Sequence, residues 1–133
     1  MNKKQFRHLE KALHRACKQH LSNGGTLIRG GYWTDEMHCC PIRATITWND
    51  TRSFFDRILY KQIVPFTFPK DKSYSTALGD AVGFSISDQE MNYFIRGYDS
   101  ACAGYPDPID DDGKALFNLG KKFADQYQPE KMQ

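Results

Sequence analysis

Cys39-Cys40-Pro41-Ile42-Arg43-Ala44-Thr45-Ile46-Thr47-Trp48 is the stretch on which the fold class turns. Ile42, Ala44, Ile46 and Trp48 alternate with Arg43, Thr45 and Thr47, as the residues of a half-buried strand would. Pro41 suits the first turn of a helix, where its missing N–H goes unneeded, with Cys40 or Cys39 ahead of it in the capping position. Local propensity leaves both readings open, so the weight falls on the flanking segments.

Before this stretch, residues 2 to 22 carry a helical period. At about 100° per residue, Phe6, Leu9, Leu13, Ala16, Cys17, His20 and Leu21 share one side. Lys3, Lys4, Arg7, Lys11, His14, Arg15 and Lys18 share the other. Gly24 is a C-terminal stop, and Gly24-Gly25 and Gly30-Gly31 bracket a short extended piece, Thr26-Leu27-Ile28-Arg29.

After it, the pattern predicts a helix over 50–63, with Phe54, Phe55, Ile58, Leu59 and Ile63 on its apolar side. Two prolines then hold Pro65-Phe66-Thr67-Phe68-Pro69 extended. A helix from about Tyr74 to Val82 ends at Gly83. Ser87-Asp88-Gln89-Glu90 is a capping box that opens another, burying Met91, Phe94, Ile95 and Tyr98. Asp110-Asp111-Asp112 places negative charge at the start of a last helix, lined by Leu116, Leu119, Phe123 and Tyr127 and stopped by Pro129. The expectation is a mainly α single domain over 1–133, of about five helices, with at most a small β-hairpin near residues 26–48.

Length and composition fit that picture. The chain has 133 residues, 40% apolar and 14% aromatic, enough for one core without disulfide staples. No apolar run approaches the 18 or so residues of a membrane span. The N-terminus lacks the apolar stretch of a signal peptide, so the cytosol is the expected compartment and no membrane partner is expected. There Cys17, Cys39, Cys40 and Cys102 are expected as four free thiols, adjacent cysteines being poorly placed to bridge each other.

Net charge is only +2, yet it is unevenly spread. Residues 1–22 hold six cations against Glu10, a net of +5, while the rest of the chain, with twelve against fifteen, carries −3. Residues 99–112 hold Asp99, Asp107, Asp110, Asp111 and Asp112 without a Lys or Arg.

Cys39-Cys40-Pro41-Ile42-x-Ala44, followed by Phe94-Ile95-x-Gly97-Tyr98-Asp99, resembles a pattern in small bacterial proteins to which no activity is assigned. Those carry a Cys-Cys-Pro-Leu segment after a Gly-rich, Trp-containing loop, then a Phe-x-x-Gly-Phe-Asp helix end. Ile42 stands here for the leucine, Arg43 for a small residue and Tyr98 for the phenylalanine, and the likeness covers roughly residues 30 to 100. It implies a bacterial or phage origin and a helical fold, and it carries no mechanism.

Four constellations bear on chemistry. A cysteine at a helix N-terminus is acidified by unpaired backbone N–H groups, so Cys39 or Cys40, with His38 as base and Asp99 orienting it, would make a cysteine-dependent enzyme. Packing or capping is the plainer role, since free cysteines are mostly small buried apolar residues. Cys17 and His20, at i and i+3, are weak metal-ligand candidates alongside His38 to Cys40, but the second short-spaced ligand pair of a zinc site is missing, so no metal and no cofactor is expected. Pro108 to Gly113 is similar to a calcium loop, yet Pro108 occupies its first position and Leu119 its twelfth, and helix capping accounts for it better. Residues 74–98 have helix-turn-helix spacing with too long a turn, and Asp88 and Glu90 would repel phosphates.

The clearest surface feature is the row Lys3, Lys4, Arg7, Lys11, Arg15 and Lys18. Its expected role is contact with an anionic partner, either an acidic protein or nucleic acid. The plainer alternatives are a solvated face, or docking onto the acidic 99–112 segment of this chain or of a second copy in a homo-oligomer.

Overall fold

A computed structural model describes residues 1–30, 33–35, 38–48 and 73–131. Its longest helix, α1 (Lys3–Ser22), starts at a capping box. The Asn2 side chain accepts the Gln5 backbone N–H at 2.8 Å, and the Gln5 side chain accepts the Asn2 N–H at 3.0 Å, so two of the helix's orphan donors are satisfied reciprocally. Leu9, Ala12, Leu13, Ala16, Cys17 and His20 form its buried side. Each fully buried leucine contributes roughly 1.5–3 kcal/mol of transfer free energy.

The ambiguous stretch is a helix. Pro41–Trp48 forms α2, and all eight of its residues are buried. Alternation misleads here because neither side of the segment meets solvent. A helix satisfies its backbone internally, whereas a strand in that place would need a neighbour on each edge. Cys40 takes the capping position, its carbonyl accepting the Ala44 N–H at 3.0 Å. The Thr45 hydroxyl donates to the Pro41 carbonyl at 2.8 Å, which removes the cost of burying that hydroxyl.

The strands form a four-stranded sheet that extends beyond a hairpin, with β1 (Thr26–Arg29), β2 (Trp33–Asp35), β3 (His38–Cys39) and β4 (Glu130–Lys131) in the order β2-β3-β1-β4. The expected hairpin is the antiparallel pair β2 and β3, with a register irregularity between Trp33 and Asp35. β1 runs parallel to β3, with Leu27 opposite Cys39, and parallel to β4, with Ile28 opposite Glu130. The segment after Pro129 therefore returns to the sheet.

The C-terminal half follows its local signals. α3 (Tyr74–Val82) is capped by Ser73 and ends at Gly83. α4 (Asp88–Ala103) opens with the Ser87–Glu90 capping box and runs five residues past Tyr98. α5 (Asp111–Tyr127) is capped by Asp110, whose carboxylate accepts the Gly113 N–H at 2.6 Å and the Tyr93 hydroxyl at 2.7 Å. Asp110 thus caps a helix, as the plainer reading of 108–113 expects.

α4 and α5 pack most intimately. A methyl built on Gly97 would overlap the Phe117 carbonyl oxygen, and one on Gly120 would overlap that of Phe94, so bare backbone faces bare backbone. Phe94 meets Phe123 edge-on at 5.5 Å, and Phe123 stacks on the His14 ring at 4.2 Å, which ties this hairpin to α1. Five helices are thus present among the described residues, and the chain is mainly α. The expected helix over 50–63 and the extended 65–69 segment lie outside the described residues.

Candidate functional site

Two regions contain the residues singled out from the sequence. The first is buried, where Cys17 and His20 from α1, Cys39 from β3, Cys40 at the head of α2, and Tyr98 and Asp99 from α4 converge. The indole N–H of Trp48 donates to His20 Nδ1 at 3.0 Å. An indole nitrogen only donates, so Nδ1 holds a lone pair and the ring proton sits on Nε2. Nε2 in turn faces the Thr26 carbonyl at 3.2 Å and the Cys39 sulfur at 3.7 Å. In this tautomer His20 offers no lone pair to the Cys39 thiol. Gly25 packs against the imidazole, with a built methyl only 2.7 Å from Cδ2, so the ring lies directly on backbone.

The histidine that meets Cys39 is therefore His20 rather than His38. His38 is exposed and Cys39 is fully buried, because successive strand residues face opposite ways. Cys40 is also fully buried. The backbone N–H groups of Ile42 and Arg43 stabilise its thiolate, but burial dominates and pushes the thiol up to about 12. Burial likewise raises Cys17, with Cys40 adding to the effect. Cys17, Cys39 and Cys40 are all free thiols. The side chain of Cys102 lies outside the described residues.

Asp99 is nearly buried, and its carboxylate accepts the Gly30 N–H at 2.8 Å. Burial raises its pKa from the ordinary aspartate value, with the Gly30 bond and nearby Arg29 opposing. Tyr98 is fully buried beside these groups, and its hydroxyl has no hydrogen-bond partner among the described residues. Among the described residues, no group of three or more His, Cys, Asp or Glu side chains could hold a metal ion. Cys17 and His20 thus lack a described third ligand, and His20 Nδ1 is engaged by Trp48.

Cys40 caps α2, Phe94 and Tyr98 fill the core, Gly97 admits Phe117, and Asp99 holds the turn at Gly30.

The second region is the outer face of α1. Lys3, Lys4, Arg7, Lys11, Arg15 and Lys18 are all exposed. At about 100° per residue they fall within roughly 120° of arc, and at about 1.5 Å per residue they span about 22 Å. Among the described residues none of the six is ion-paired, the described pairs being Met1 with Glu90, Lys121 with Asp107 and Lys122 with Glu10. Three carboxylates of the acidic 99–112 segment are engaged elsewhere, Asp99 at Gly30, Asp107 at Lys121 and Asp110 at the head of α5, while Asp111 and Asp112 are exposed in the first turn of α5. His14, assigned to this face by periodicity, is instead half-buried, its Nδ1 hydrogen-bonded with the Tyr127 hydroxyl at 2.8 Å.

A groove of about 580 Å³ runs beside the row, lined by Lys3, Lys4, Gln5, Arg7, His8, Lys11 and Phe84. His8 Nε2 donates to the Val82 carbonyl at 2.9 Å, and its ring lies 6.2 Å from that of Phe84. On the other flank, a cavity of about 360 Å³ lies between Phe6, Asp112, Ala115 and Leu116 and shares Lys3 and Arg7. His8 and Phe84 were missed in the sequence. His8 could have been found one turn beyond Lys4, whereas Phe84 carries no local signal that places it beside α1.

The chain matches no family model, and no curated protein or solved structure is significantly similar to it. Among the described residues no helix is long and apolar enough to cross a membrane.

Proposed function

We propose that this is a small cytosolic binding protein of bacterial or phage origin, without catalytic activity, whose α1 face docks an anionic macromolecule. One observation carries the reading: six exposed cations lie on one narrow face with no ion-pair partner among the described residues. Internal docking of the row onto the 99–112 segment would have consumed the charges of both, but Asp99, Asp107 and Asp110 serve other contacts, and among the described residues no ion pair joins the row to exposed Asp111 or Asp112. Unneutralised like charges repel one another, and an anionic partner relieves that repulsion while releasing its own counterions. The buried thiols, with no base presented to Cys39 by His20, favour binding over cysteine chemistry.

The test is a triple charge reversal at Arg7, Lys11 and Arg15, all remote from the buried side of α1. At low salt the native protein is expected to bind a labelled oligonucleotide or polyglutamate, with the variant at least ten-fold weaker and equally helical by circular dichroism. Equal affinity of the two proteins, or no binding of either polyanion, would overturn the proposal.

A further inference from the structure

The groove beside the cationic row is more than charged. Its wall is the ring of Phe84, half-buried, so that part packs onto the core and part faces the groove. The His8 imidazole stands next to it, held in place by its bond to the Val82 carbonyl. The two ring planes are inclined at 55°, so Phe84 and His8 form the two sides of an aromatic corner bordered by Lys3, Lys4, Arg7 and Lys11.

We infer that the groove receives an unpaired nucleobase of a single-stranded nucleic acid, stacked on Phe84 with the tilted His8 ring against its edge, and the flanking phosphates held by Lys3, Lys4, Arg7 and Lys11. The inference deepens the docking function proposed above and rests on it. Charge complementarity selects an anionic ligand, and the aromatic wall selects among anionic ligands. Carboxylates of an acidic peptide would satisfy the lysines without needing the ring. A duplex keeps its bases stacked inside, and α1 presents only a narrow exposed arc flanked by Phe84 on one side and α5 on the other, so it cannot enter a major groove as a free recognition helix does. A single strand supplies what both parts of the groove can use, regular backbone charge and exposed base faces, and such stacking tolerates any sequence.

The experiment measures binding of the full chain to a labelled oligothymidine of about 15 nucleotides, the same length of duplex, and polyglutamate. Single-stranded DNA is expected to bind tightest. Phe84→Leu keeps an apolar side chain against the core and removes the ring. It should weaken single-strand binding about ten-fold, leave polyglutamate binding unchanged, and leave the salt dependence of binding as it was. His8→Ala, at an exposed position, should give a several-fold loss even if Phe84→Leu proves unstable. Lys11→Gln should reduce the slope of log affinity against log salt by about 0.7. Equal single-strand affinity for native protein, Phe84→Leu and His8→Ala would overturn the stacking site. So would a preference for duplex, or for polyglutamate, which would instead identify an acidic protein partner. In those outcomes the triple charge reversal still weakens polyanion binding, whereas failure of the docking proposal abolishes that effect too.

Discussion

Replacing Gly97 with alanine should destabilise the protein, although alanine is by far the better helix former. The substitution stands in the middle of α4, where exchanging glycine for alanine favours the helix by about 1 kcal/mol. Against this, the new methyl would overlap the Phe117 carbonyl oxygen and lie 2.7 Å from its carbonyl carbon and 2.9 Å from its Cα. Those atoms are α5 backbone, which has no rotamer to change, so the helices must separate by roughly 1.5 Å to restore ordinary contact, loosening Phe94, Tyr98 and Phe123. Overpacking typically costs 1–3 kcal/mol, and an obstacle made of backbone belongs at the upper end. The net expectation is a loss of about 2 kcal/mol, or a fall in Tm of roughly 8 °C for a chain of this size. Urea titration and thermal melting followed by far-ultraviolet circular dichroism measure both. Asn118→Ala, at an exposed position of α5, serves as the control and should raise stability slightly through helix propensity alone. Gly120→Ala should behave like Gly97→Ala, its methyl falling 2.6 Å from the Tyr98 nitrogen, and the double variant should lose less than the two combined, because one separation accommodates both methyls. A Gly97→Ala protein as stable as the native one would refute the close approach of α4 and α5.

Three further outcomes follow from the buried groups. In a Cys102→Ser background, Cys17, Cys39 and Cys40 should react slowly with a thiol reagent at neutral pH and rapidly once unfolded, because burial keeps Cys40 protonated up to about 12; one thiol reacting faster than free cysteine would contradict this. Burial holds His14 below its ordinary value of 6.5, so the native state resists protonating it. Its contribution to stability is complete above that value and declines as pH falls below it, so Tm should drop between pH 7.5 and 5.5, and by less in His14→Phe. Asp99 is displaced the other way, so its ionised form is the costly one and acidification from neutrality relieves the cost. Asp99→Asn keeps the oxygen that accepts the Gly30 N–H, and its stability relative to the native protein should be greatest near pH 7 and shrink toward pH 4.5; a pH-independent difference would show that the carboxyl is not strained by burial.

Local chemistry by itself determined the helices that have a wet side and a capped end. α1 is legible because its cations and its leucines repeat with the helical period, and the Ser87–Glu90 and Asp110 caps, the stop at Gly83 and the end of α5 before Pro129 each rest on groups within a few residues. The exposure of Lys3, Lys4, Arg7, Lys11, Arg15 and Lys18 belongs to the same class, since the side opposite a buried stripe faces solvent. Tertiary structure decided the rest, where the environment comes from residues distant in the chain. Pro41–Trp48 is helical because it is enclosed on all sides, which removes the contrast that periodicity needs. Cys39 meets His20 rather than the adjacent His38 because strand alternation turns neighbours apart while β1 pairing carries β3 back to the end of α1. The pairing of Ile28 with Glu130, the contact of Gly97 with Phe117 and the placement of Phe84 beside α1 likewise join segments whose own sequences hold no trace of one another, for these depend on how helix faces pack and not on which residues form a helix.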